Sequence, residues 1–116
     1  MKFELVKNID KTELYGDIPC LPCELDSDVG ERFLGEESDS WLLLNDFVPE
    51  IDKICKNTLD YGDVDFFDAS KCVIIKGWIE MRKRKSMSER LMELYDQLYI
   101  FVLKAIELDT GVVIEL

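Results

Sequence analysis

The chain is 116 residues long, 47% hydrophobic and 34% charged, with 25 Asp and Glu against 14 Lys and Arg for a net charge of -11. That length predicts a single domain over residues 1–116, whose core removes about two-thirds of the unfolded surface from water, and the composition is that of a folded globule, not a disordered tail. The sequence contains no histidine, which takes away the commonest general base and transition-metal ligand and weighs against Ser-His-Asp or Cys-His hydrolases and His-bearing zinc sites.

Phe3 to Lys7 alternates apolar and charged residues, placing Phe3 and Leu5 on one face of a half-buried strand that starts at residue 2 or 3. The opening residues lack the uninterrupted apolar run of a signal peptide, and no later run reaches membrane-spanning length, so the expected location is cytoplasmic with reduced thiols. Residues 10–40 are broken by Gly16, Pro19, Pro22, Gly30 and Gly35 and read as a long loop with at most a short strand or helical turn. Trp41 to Leu44 reads as a buried strand, followed by a cap at Asn45-Asp46 and a helix with Pro49 in its first turn. Phe47, Ile51, Ile54, Cys55 and Leu59 form that helix's apolar face, and Tyr61 to Asp63 ends it.

Residues 63–68 read as extended or turn-like, and Asp68 or Ser70 caps a second helix running to about Lys83. Its apolar residues cover more than one face, and Gly77 inside it suggests a close helix crossing. After a basic connector at Arg82 to Lys85, Ser86 to Glu89 matches a capping box. The longest periodic segment follows, through Leu91, Leu94, Tyr95, Leu98, Phe101, Val102, Ala105 and Leu108. Thr110-Gly111 stops it, and Val112 to Leu116 forms a last strand that pairs with the first. The predicted fold is therefore α+β: about three α-helices packed on a small sheet of N-terminal, central and C-terminal strands.

Cys20 and Cys23 are spaced to close a disulfide or chelate a metal, but acids follow them and no second cysteine pair completes a zinc site; inert loop thiols, a metal site and a redox pair all remain open. Asp26, Asp28, Gly30 and Glu37 echo a calcium loop, yet the glycine stands one place early, so a solvated acidic loop is expected. The basic run from Arg82 to Lys85 reads as a solvated interhelical turn, because the chain as a whole would be repelled by a polyanion. No nucleophile has an evident activating partner, and neither an enzyme nor a cofactor is expected.

The charge is unevenly divided. Residues 1–70 hold 18 acids against 6 bases, whereas residues 71–116 hold 7 acids against 8 bases. Aromatics are interleaved with the acids between Trp41 and Asp68, and interfaces combine aromatic anchors with charges that steer association. Trp41 and Phe47 are assigned to the core. The partner-binding set is Glu31, Glu36, Glu37, Asp39, Asp60, Asp63, Asp65 and Asp68, with Tyr61 and Phe66 as anchors.

In size, charge and element order, and in the stretches Gly35 to Trp41 and Ala105 to Leu116, the chain resembles small immunity proteins of bacterial polymorphic toxin and contact-dependent growth inhibition systems. The resemblance implies a cognate toxin, often a basic nuclease, bound tightly and held inactive, with no direct contact to nucleic acid or membrane. The alternative is a DNA mimic or acidic adaptor that binds a basic protein.

Overall fold

Phe3 and Leu5 lie in β1 (Lys2–Val6), and the apolar C-terminal run forms β6 (Gly111–Glu115), in a computed structural model that describes residues 1–116. The two strands pair, as the sequence predicts; they run antiparallel, with Phe3 opposite Ile114 and Leu5 opposite Val112. They form the centre of a four-stranded antiparallel sheet completed by β4 (Gly30–Leu34) beside β1 and β5 (Val64–Asp68) beside β6. A separate hairpin, β2 (Glu13–Tyr15) and β3 (Ile18–Cys20), turns at Gly16, whose φ of 63° is the left-handed conformation that glycine adopts without strain.

Four helices, α1 (Glu37–Asp46), α2 (Val48–Cys55), α3 (Ala69–Arg82) and α4 (Glu89–Leu108), complete the α+β fold. One sheet face, carrying Phe3, Leu5, Phe67, Val112 and Ile114, joins the buried stripes of the helices in one core. Phe47, Trp78 and Tyr95 meet there, with ring centroids 5.4 to 6.3 Å apart. The Tyr95 hydroxyl donates to Asp46 at 2.5 Å, and Arg82 donates to the same carboxylate at 2.9 Å, so one acid ties together the ends of α1, α3 and the middle of α4.

Several expectations are corrected. The stretch 10–40 is not one loop: it holds the hairpin, β4 and the start of α1. Its strands are three to five residues long, too short for a clear period-2 signal. Gly30, which reads as a breaker, is inside β4 because a Cβ there would stand 2.4 Å from the Leu5 carbonyl oxygen. β1 is buried on both faces, since the segment after the hairpin covers the outer one. Glu4 is accordingly buried and accepts from Arg32 at 2.6 Å, while Arg32 also holds the Pro22 and Cys23 carbonyls at 2.8 and 3.1 Å.

Trp41 to Leu44 is helical, not a strand. Asp39 accepts from the Glu36 N–H at 2.9 Å and starts α1 ahead of the apolar run, which by itself has no distinguishing period. The expected central strand at residues 41–44 is therefore absent, and β4 and β5 complete the sheet at its two edges instead. α2 ends at Cys55 rather than near Tyr61, because Lys56 turns left-handed at φ 57°.

α3 has the predicted bounds and the Asp68 cap, but it buries one face only: Val73, Ile74 and Met81 are exposed, and no element of the chain crosses at Gly77, where a Cβ would meet nothing within 4 Å. Ser88, not Ser86, caps α4 by accepting from Leu91 N–H at 3.2 Å. Asp109 (φ 54°), not a glycine, takes the left-handed position that ends it. Gly111 serves β6 instead, with the Phe66 ring 2.5 Å from where a Cβ would be.

Candidate partner-binding surface

α1 buries Asp39, Ser40 and Leu43, so the helical repeat of 3.6 residues turns Trp41 to the opposite side. There its indole stacks on Tyr61, ring centroids 5.0 Å apart and planes within 7°. Trp41 is 49% and Tyr61 48% exposed.

Tyr61 is held by its backbone surroundings. The Asp60 N–H donates to the Asp63 carboxylate at 3.0 Å, Gly62 (φ 85°) donates to the Leu116 carbonyl at 2.5 Å, and the Leu116 N–H donates to the Asp63 carbonyl at 3.1 Å. The C-terminus of the chain thus pins the loop that carries the ring. Glu37, one turn before Trp41, lies beside the Tyr61 hydroxyl, and its carboxylate raises the phenol above its ordinary pKa.

The predicted site residues separate into two groups. Tyr61 stacks on Trp41 with Glu37 beside its hydroxyl, Asp60 and Asp63 are exposed in the loop that carries Tyr61, and Glu36 is exposed at the start of the helix that carries Trp41. The others have different positions. Glu31 is on the edge strand β4, paired with Lys7 at 3.2 Å. Asp39 is buried, taking bonds from both Arg90 Nε and Nη2 at 2.9 and 2.8 Å, so it is withdrawn from any surface. Asp65 is half-buried against Asn57, which in turn accepts from Lys71 Nζ at 2.8 Å. Phe66 packs on Gly111 over the outer face of the sheet, and Asp68 is the cap of α3.

Trp41 is the residue that sequence reasoning misplaced, by assigning it to the core. Its signal is the i, i+4 spacing to Glu37, which is legible only when residues 41–44 are read as helix.

Negative charge extends beyond the aromatic pair. Asp52 accepts from Leu59 N–H at 3.2 Å, yet its carboxyl is held above the ordinary value by burial first and then by Asp65 and Asp60. On the outer sheet face, a groove of about 390 Å³ lies between the hairpin and the sheet, lined by Tyr15, Ile18, Cys20, Val64 and Val113 with Lys2, Glu4 and Glu115 at its polar side.

The exposed Cys20 and Cys23 stand apart in kind from Cys55 and Cys72, which are buried, Cys72 with its thiol pushed up to about 12 by that burial. Gly30 in β4 and Glu37 in α1 break up the calcium-like spacing, and no three carboxylates or thiols converge as metal ligands would. Within the basic run, Arg82 is bound to Asp46 and Lys83 to Asp96.

Comparison with protein-family models, with curated proteins and with solved structures finds no match to this chain. No helix is long and apolar enough to cross a membrane.

Proposed function

We propose that this chain is a binding protein that docks a basic protein partner on the surface formed by Glu37, Trp41, Asp60, Tyr61 and Asp63, and that it acts in the cytoplasm as an immunity protein holding a cognate nuclease-type toxin inactive. The observation that carries this reading is the half-exposed Trp41–Tyr61 stack, with Glu37 beside the Tyr61 hydroxyl and Asp60 and Asp63 in the same loop as Tyr61. Tryptophan and tyrosine are the residues that most often anchor protein interfaces, since they bury large area at low entropic cost.

A nuclease site is electropositive because it binds phosphates. Carboxylates set on a rigid support can occupy or cover it, and opposite charge speeds encounter towards about 10⁸ M⁻¹s⁻¹ at low salt. The support here is α1 on one side and, on the other, the loop hydrogen-bonded to Leu116. In this reading the chain carries out no reaction itself.

The test is co-expression with the basic chain encoded by an adjacent reading frame. A one-to-one complex, suppression of that chain's nuclease activity or toxicity, and loss of both in a Trp41→Ala, Asp63→Lys variant that still folds would support the proposal. A chain that purifies alone and competes with DNA for a DNA-binding protein would replace it with the DNA-mimic reading.

A further inference from the structure

Cys20 ends β3, and Cys23 follows it by three residues. In a continuing strand, residues three apart face opposite sides. Here both cysteines are exposed, while Leu21 between them is buried and lies against Gly30. The chain bends at Cys23 and Glu24, so Cys23 comes round to the solvent side on which Cys20 stands.

One guanidinium holds this bend. Arg32, bonded to the buried Glu4 at 2.6 Å, donates to the carbonyls of Leu21, Pro22 and Cys23 at 3.5, 2.8 and 3.1 Å. Three successive carbonyls turned to one side chain mark a curved segment, because along an extended strand they would alternate in direction. Pro22 adds a fixed φ to the same segment. The main chain between the two thiols is thus curved and clamped to the sheet, and the thiols stand outside it.

Their surroundings exclude two other uses. No third thiol or carboxylate converges with them as a metal ligand would. The element after Cys23 is β4, so the helix N-terminus that stabilises the thiolate of a dithiol oxidoreductase is missing.

We propose that Cys20 and Cys23 form a modification site, a dithiol that a small disulfide of the glutathione class oxidises reversibly to an intrachain bond. One protein thiol loses its proton, attacks the small disulfide and displaces one small thiolate, leaving a mixed disulfide. The other loses its proton, attacks the protein-bound sulfur of that mixed disulfide and displaces the second small thiolate. Two electrons pass from the protein to the small disulfide, and the two protons end on the two small thiols. In a reducing compartment the pair rests open and closes only when the small-thiol pool is oxidised. Because Arg32 and Glu4 hold the main chain of residues 21–23, closure stays local, at the Cys20 wall of the groove between hairpin and sheet. The site is independent of the partner-binding surface proposed above.

The test equilibrates the full chain with mixtures of reduced and oxidised glutathione, quenches it with an alkylating reagent and maps the peptides by mass. Excess glutathione disulfide should remove the Cys20 and Cys23 thiols together, with a mass loss of two hydrogens and an unchanged circular dichroism spectrum. The buried Cys55 and Cys72 should stay reduced, and excess reduced glutathione should restore all four thiols. Cys20→Ser and Cys23→Ser, both changes of exposed residues, should each stop at a retained mixed disulfide with one glutathione, because no second thiol displaces it. Four thiols persisting in the wild type under excess glutathione disulfide overturn the proposal. So do stable mixed disulfides on both cysteines of the wild type, or a bond that forms between chains or between Cys55 and Cys72 instead.

Discussion

Arg90, one residue into α4, grips Asp39 in the first turn of α1 through two guanidinium nitrogens at 2.9 and 2.8 Å. The same carboxylate accepts from Glu36 N–H, so one buried acid both starts α1 and fastens it to α4. Arg90→Ala would leave that carboxylate buried without its cation. The expected loss is about 2 kcal/mol, less than for a fully enclosed pair because Arg90 is half-exposed. Denaturant titration of the dilute chain measures it, and a loss below about 0.5 kcal/mol would show that Asp39 is satisfied by backbone alone.

Trp41 and Tyr61 are placed for binding more than for folding. Trp41→Ala should change stability by no more than about 1 kcal/mol, while weakening capture of the basic partner by at least about tenfold. Asp60→Lys with Asp63→Lys should mainly slow association and flatten its salt dependence. Stopped-flow association at several ionic strengths separates the two effects. Equal affinity in Trp41→Ala would remove the aromatic pair from the interface.

Three aspartates are held below the ordinary value of 3.8: Asp39 by Arg90 first, Asp68 by the Lys71 N–H and then Ser70, and Asp46, where burial acts upward but Arg82 and Tyr95 together outweigh it. A carboxylate with a depressed folded-state pKa stabilises the fold above its unfolded value, and this is lost as pH falls through the lower folded value. Asp52 is shifted upward, so its protonation relieves the fold as pH falls. Melting temperature should therefore hold between about pH 7 and 5 and fall steeply below about pH 4. Asp46→Asn should make the acid limb shallower; an unchanged limb would show that this carboxylate is not linked to acid unfolding.

Gly77 and Gly111 should respond oppositely to the same substitution. Gly77→Ala adds a side chain into open space in a helix and should stabilise the dilute chain by about 0.5–1 kcal/mol. Gly111→Ala drives a Cβ to 2.5 Å from both the Phe66 ring and the Phe67 carbonyl oxygen, and should cost about 2 kcal/mol or more. Thermal melts of the two variants side by side check the contrast.

The elements that carry their own periodicity were legible in the chain. Leu91 to Leu108 repeats at helical spacing for five turns, Phe3 and Leu5 alternate, and Val112 to Leu116 is too apolar to leave exposed, so α4, β1, β6 and the pairing of the two strands follow from local pattern. The start of α3 was legible as a cap at Asp68 or Ser70, because a cap is a local hydrogen bond, and the structure gives it to Asp68.

Three-dimensional contacts decided the rest. Whether Trp41 to Leu44 is strand or helix depended on the Asp39 bonds to Glu36 and to Arg90, 51 residues away. The acids of the sequence look alike, yet Glu4 and Asp39 are buried under arginines while Glu37, Asp60 and Asp63 are exposed on the elements that carry the Trp41–Tyr61 pair. Composition set the charge of this protein, because charge is a sum over residues. Which of those charges can meet a partner is a matter of burial, and burial depends on neighbours that the chain brings together only when it folds.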